Sequence, residues 1–157
     1  MKKIVLVLMT LSLVACGSTK TVTPAPKKVI KGDWTLSDIS YSEEGEFDVT
    51  LLNEDTKECF EGSKWNFISN NNTGSYFIEG TDCNAGLRNF IFTIQKIDDQ
   101  SGLYDFLIKP TDAKGKSMTN QGFRLKLVSI SETSMTWEQH LTVDDAPFVI
   151  TWQFAKY

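Results

Sequence analysis

The chain holds one histidine, His140, and three cysteines, Cys16, Cys59 and Cys83. With the carboxylates, these are the side chains that could carry nucleophilic, acid–base or metal chemistry. A hydrolytic triad needs a histidine between a nucleophile and a carboxylate. His140 alternates with Trp137, Gln139 and Leu141, which points it outward on a strand beside Glu138. No Gly-x-Ser-x-Gly run offers a nucleophile. The acids Glu43, Glu44, Asp98, Asp99, Asp144 and Asp145 lie in loop-like stretches, and none has the spacing of a calcium loop. A glycine-rich phosphate cradle is also missing. Cys59 and Cys83 do not complete a zinc shell by themselves, and His140 is far from them in sequence. The expectation is therefore a protein that is not an enzyme, with no catalytic residue, no metal and no cofactor.

The third cysteine has a different context. Met1, Lys2 and Lys3 precede an apolar run over residues 4–14, broken only by Thr10 and Ser12, and Ala15, Cys16 and Gly17 follow. This is a secretory leader, too short to span a bilayer as a mature helix. Leu13, Val14, Ala15 and Cys16 resemble the lipobox of bacterial lipoproteins. The resemblance implies removal of residues 1–15 and a palmitate-type lipid on Cys16, which becomes the mature N-terminus and the link to the membrane. The alternative is an ordinary leader cut near Ala15. In lipoproteins of some bacteria an Asp after the cysteine holds the protein in the inner membrane, and in other lineages an acidic cluster sends it to the cell surface. Gly17, Ser18, Thr19 and Lys20 supply neither, so the resemblance implies the periplasmic face of the outer membrane. With Cys16 taken by lipid, Cys59 and Cys83 remain as an even pair in an exported chain, which suggests a disulfide. Closing that loop of about 25 residues is worth roughly 3 kcal/mol. Two separate buried thiols are the alternative.

These residues must be positioned by what remains. Taking 15 residues from 157 leaves 142, enough for one domain with its own core. Residues 16–29 read as a tether rich in Ser, Thr, Lys, Pro and Ala, with Pro24 and Pro26 favouring extended backbone. Such a segment reaches about 40 Å. Residues 30–157 form the domain, with eleven Lys and Arg against twenty Asp and Glu, a net charge near −9. That balance repels polyphosphate and excludes nucleic acid as a natural partner.

Period-2 patterning runs through the domain. Trp34 and Leu36 alternate, and Ile39 and Tyr41 continue on shifted parity, which predicts a bulge. Further alternating sets are Phe47, Val49 and Leu51; Trp65 and Phe67; Tyr76 and Ile78; Phe90, Phe92 and Ile94; Tyr104, Phe106 and Ile108; Phe123, Leu125 and Leu127; Met135, Trp137 and Gln139; and Phe148, Ile150, Trp152 and Phe154. Turns are predicted over 70–74 and 98–102, and a loop over 110–115. Residues 53–60 predict a short helix or a turn, with Asn53 in position to cap a helix. Eight or nine short strands with short connections predict an all-β antiparallel up-and-down barrel, with a β-sandwich as the alternative.

Gly32, Asp33 and Trp34 open the first strand with a Gly-x-Trp motif that resembles lipocalins. Cys59, Phe60, Gly62, Trp65, Phe67, Gly74 and Tyr76, together with 134–137 and Ile150, Trp152 and Phe154, look like bacterial lipocalin-like lipoproteins. The resemblance implies an eight-stranded barrel with Trp34 across its base. It departs from the family at one point. Lipocalins often carry a late arginine on that tryptophan, whereas Arg88 and Arg124 are the only arginines here and neither lies near the end. The resemblance implies a small apolar ligand at the barrel mouth, with Trp65, Phe67, Tyr76, Phe92 and Trp137 as wall residues. The same five rings could equally be core. Then the barrel is filled and the protein works through its surface, as a structural, assembly or inhibitor protein without a small-molecule ligand.

Overall fold

The computed structural model describes residues 26–117 and 119–157. The expected leader, Cys16 and most of the expected tether lie outside them. Eight strands follow one another: β1 (Gly32–Tyr41), β2 (Lys64–Ile68), β3 (Thr73–Ile78), β4 (Gly86–Ile97), β5 (Tyr104–Thr111), β6 (Phe123–Ile130), β7 (Ser134–Val143) and β8 (Ala146–Lys156). Two single helical turns accompany them, α1 (Pro26–Val29) and α2 (Lys57–Phe60). The strands pair antiparallel in chain order and close into a barrel. Closure comes from β8 pairing back to β1, and it leaves no free edge. The architecture is the up-and-down barrel rather than the sandwich.

Strand β1 serves two neighbours. Gly32 to Thr35 pair with β2, and Trp34 to Tyr41 pair with β8 across a register slip between Leu36 and Asp38. That slip is the bulge announced by the parity change, and it bends the strand between its partners. The β7–β8 hairpin turns on Asp144 and Asp145, both left-handed at φ 49° and 61°, as a two-residue primed turn requires. At Gly74 the wall leaves no room for a side chain. A Cβ there would run into the Phe90 ring and lie 2.5 Å from the Asn66 carbonyl oxygen.

The core is the barrel interior, filled by the inward member of each alternating pair. One end is closed by Trp34, fully buried, whose indole N–H donates to the Ile30 carbonyl at 2.8 Å. Lys156 lies over this ring at 5.0 Å from its centroid and donates to the Val29 carbonyl at 3.2 Å. A lysine near the end of β8 thus supplies a cation over the Trp34 ring.

Four local expectations are corrected. Residues 47–51 are not a ninth strand. With the barrel closed, they have no edge to join, and Leu51 makes only an isolated bridge to Asp55. Their alternation reflects packing, since Phe47 stacks edge-on against Tyr41 and Phe148 at 5.6 and 5.0 Å. Asn53 is not the cap of α2. It is left-handed at φ 56° in a turn, and Thr56 occupies the cap position. Pro110 and Thr111 belong to β5, paired with Phe90 and Asn89, so the loop begins at Asp112. The end of the tether is a helical turn instead of extended chain, because Val29 and Ile30 are drawn into the core.

Candidate functional site

The period-2 rule puts residues 65 and 67 of β2, 76 of β3, 92 of β4 and 137 of β7 on the inner wall. Trp65, Phe67, Tyr76, Phe92 and Trp137 are each at most 1% exposed. The fold brings them together. Trp65 stacks on Tyr76 at 4.5 Å and meets Trp137 edge-on at 5.6 Å. Phe67 contacts Phe92 at 6.0 Å and Trp137 at 5.5 Å. The same cluster takes in Phe60, Phe90, Phe106, Trp152 and Phe154, which were not singled out for the site. All but Phe60 lie on alternating runs, so their inward direction could have been read from the same pattern. Trp137 meets Phe154 at 4.2 Å and Phe106 at 5.0 Å.

Three polar atoms inside this apolar interior find no partner among the described residues: Trp137 Nε1, Trp152 Nε1 and the Tyr104 hydroxyl. The two tryptophans are cross-strand partners on β7 and β8. Burial pushes the Tyr104 phenol up to about 12. An unpaired buried donor costs about 1–3 kcal/mol.

The end opposite Trp34 is covered by chain that is not wall. The β1–β2 connection inserts Leu51, Leu52 and Phe60, each at most 4% exposed. Phe60 lies on Tyr76 at 5.6 Å and Trp152 at 5.7 Å. Polar groups staple the insert to β3, β4 and their connecting loop. Glu54 accepts from the Tyr76 hydroxyl and pairs with Arg88, and the Asp55 carboxylate accepts the Asn84 N–H at 2.7 Å. The Tyr76 phenol titrates far above its ordinary value, first through burial and then through its bond to Glu54. A disulfide joins Cys59 in the insert to Cys83 in the β3–β4 loop, the pair expected once Cys16 is set aside. The Asp55 carboxylate lies within 4.8 Å of both sulfurs. The sulfurs are bonded to each other, so this cluster is a disulfide with an acidic neighbour.

A separate cavity of about 650 Å³ lies against the wall of β5, β6 and β7, lined by Leu103, Tyr104, Arg124, Lys126, Glu138 and His140 among others. None of the five proposed wall rings borders it. His140 is exposed and shares a 2.8 Å hydrogen bond with Glu138, in line with its outward reading. Ser101, on the same cavity, gives its hydroxyl proton to Asp98 at 2.7 Å. Among the described residues no helix is long and apolar enough to cross a membrane.

No family model and no curated protein matches this chain. Among solved structures, it is similar to bovine odorant-binding protein in complex with a selenium-containing odorant, at 14% identity and a TM-score of 0.45, over 83% of this chain and 72% of that one. The same protein with its natural ligand matches at 14% identity and 0.44, over 82% and 72%. Its complex with undecanal matches at 14% and 0.44, over 82% and 71%.

Proposed function

We propose that this chain is a lipid-anchored envelope protein whose lipocalin-like barrel binds a small, largely apolar molecule. In this reading residues 1–15 are removed, Cys16 carries the lipid, residues 16–29 are the tether, and the domain faces the periplasm from the outer membrane. The lipobox-like run supports the anchoring. The observation that carries the binding reading is the pair of buried indole N–H groups of Trp137 and Trp152 without an acceptor. In a core built only for stability, each unpartnered N–H sets a desolvation cost against the larger buried area of its indole, a cost that phenylalanine does not carry. A ligand with an acceptor atom would satisfy them, as a few placed polar groups do in apolar pockets generally.

A second reading rests on a different observation. The interior rings are so closely packed that Trp34, Trp137, Trp152 and Phe106 show no exposed surface at all. That favours a filled barrel working through its outer face. Native mass spectrometry of the protein taken from its own envelope separates the two. A reproducible added mass that leaves on denaturation is expected for the binder. A clean apo mass, with no uptake of apolar probes, overturns the binding reading. Mass analysis of the N-terminal peptide tests the anchor, which Cys16→Ala would abolish. Protease sensitivity of the domain on intact cells would overturn the periplasmic placement.

A further inference from the structure

We propose that residues 51–62 are a displaceable plug occupying the ligand's place, latched by the Cys59–Cys83 disulfide, and that the site beneath takes flat, uncharged apolar molecules in preference to anions. This rests on the binding reading above. The plug brings Leu51, Leu52 and Phe60 into the core from a connection instead of a wall strand. Phe60 places a benzyl side chain among Trp65, Tyr76 and Trp152, with ring centroids 6.5, 5.6 and 5.7 Å away. A flat ligand ring in that position would meet the same three rings, and Trp152 carries an unpartnered N–H.

The plug is also held at a conformational cost. Leu52 is buried yet left-handed at φ 51°, a region that side chains with a Cβ avoid. Glycine and asparagine accept such angles readily, but leucine does not. With the covalent tie removed, only the hydrogen bonds of Glu54 and Asp55 and the buried apolar side chains hold a segment that local backbone preference does not favour in place. The tie can be reached: Cys83 is partly exposed, whereas Cys59 is buried. A dithiol reductant would attack at Cys83. The Sγ–Sγ bond breaks, two electrons pass to the protein sulfurs, the reductant closes into its own disulfide, and its two protons end on Cys59 and Cys83. Asp55 beside both sulfurs disfavours a thiolate there, so weak monothiols should open the latch slowly.

Charge sets the ligand class. The plug carries Glu54, Asp55, Glu58 and Glu61 against Lys57, and Arg88 of β4 offsets Glu54, which leaves this end acidic by two charges. A carboxylate or sulfonate approaching this end meets repulsion, whereas a neutral ring does not.

The test uses the mature chain from residue 16 with Cys16→Ser, so that no lipid competes for probe. Neutral N-phenyl-1-naphthylamine and anionic 8-anilinonaphthalene-1-sulfonate are titrated into oxidised protein, dithiothreitol-reduced protein and oxidised Phe60→Ala. Phe60→Leu is the substitute should the alanine variant fail to fold. The expected result is at least ten-fold tighter binding of the neutral probe to the reduced protein and the Phe60 variant than to oxidised wild type. The anionic probe should bind at least ten-fold more weakly than the neutral one. Equal affinity of oxidised and reduced protein overturns the latch while leaving the binding reading intact. So does loss of the near-ultraviolet circular dichroism on reduction, which would make the disulfide a staple of the fold. Equal affinity for the two probes overturns the ligand class. If neither the reduced protein nor the Phe60 variant takes up either probe, the binding reading falls and the plug proposal falls with it.

Discussion

Replacing Tyr104 by phenylalanine should make this protein more stable. The Tyr104 ring is 4% exposed, and its hydroxyl is buried without a partner. Phenylalanine keeps the ring contacts, including Phe106 at 6.0 Å. The substitution removes a desolvation cost of about 1–3 kcal/mol, set against the few tenths lost when one oxygen no longer packs. A net gain of about 1 kcal/mol is expected near pH 7, seen as a melting temperature raised by about 4 °C. The alkaline side gives an independent check. The free phenol titrates at 10.0, whereas burial holds the folded one at about 12. Between those values the unfolded chain has released a proton that the folded chain retains. Stability therefore falls as pH rises through 10 to 12, by up to about 3 kcal/mol for this group. The Tyr104→Phe variant lacks that contribution, and Tyr76, also shifted upward, leaves a residual decline. Urea unfolding at pH 7 and pH 11 measures both effects. A variant less stable than wild type by 1 kcal/mol or more at pH 7 refutes the reasoning, because the hydroxyl must then have a partner.

The wall and the closed end offer two more tests. Gly74→Ala drives a Cβ against the Asn66 carbonyl and the Phe90 ring, so it should cost about 1–3 kcal/mol by thermal unfolding, and Phe90→Ala should recover part of that loss in the double variant. No recovery would mean the backbone contact alone sets the cost. Lys156→Met removes the donor to Val29 and the cation over Trp34, and should cost about 1 kcal/mol, with Lys156→Arg close to wild type in the same melts. A Lys156→Met protein that melts like wild type would show that this end is held by Trp34 and Ile30 without the cation.

The wall was legible because alternation is a local property. Most inward positions are large and apolar, and the pattern survives outward Phe77, Leu87 and Leu107, so Phe148, Ile150, Trp152 and Phe154 declared β8 without any knowledge of its partners. The bulge at Leu36 to Asp38 was legible for the same reason, since inserting one residue reverses parity. Residues 47–51 show the limit. Their alternation is real, but strand formation also needs a free edge, and whether one exists depends on closure between β1 and β8, residues about 115 apart. Lys156 was missed because the expectation looked for an arginine, although an ammonium over an indole face obeys the same electrostatics. The five wall rings were legible as inward residues. That they touch one another, and that Phe60 comes down on them, depends on the path of a connection with no period.

That connection is where the binder and the filled barrel differ in measurable dynamics. Four backbone bonds report on it: Phe60 N–H to the Thr56 carbonyl, Glu61 to Lys57, Gly62 to Leu36 and Ser63 to Phe60, at 2.7–3.2 Å. If the plug is only core, it opens when the barrel opens. Its amides should then exchange with the same free energy as the β7–β8 ladder, and mild denaturant should affect both alike. If the plug is displaceable, its amides exchange through a smaller local opening that scarcely depends on denaturant, while the ladder still reports global unfolding. The disulfide adds a second axis, since it limits the opening that the local route allows. Reduction should therefore lower the exchange free energy of Glu61 and Gly62 by at least about 1.4 kcal/mol, a ten-fold faster exchange, and leave the relative protection within β7 and β8 unchanged. Native-state hydrogen exchange followed by NMR measures all of these amides in one series. Uniform loss of protection across plug and ladder on reduction would sink the displaceable plug, because the bond would then be stabilising the whole barrel and latching nothing.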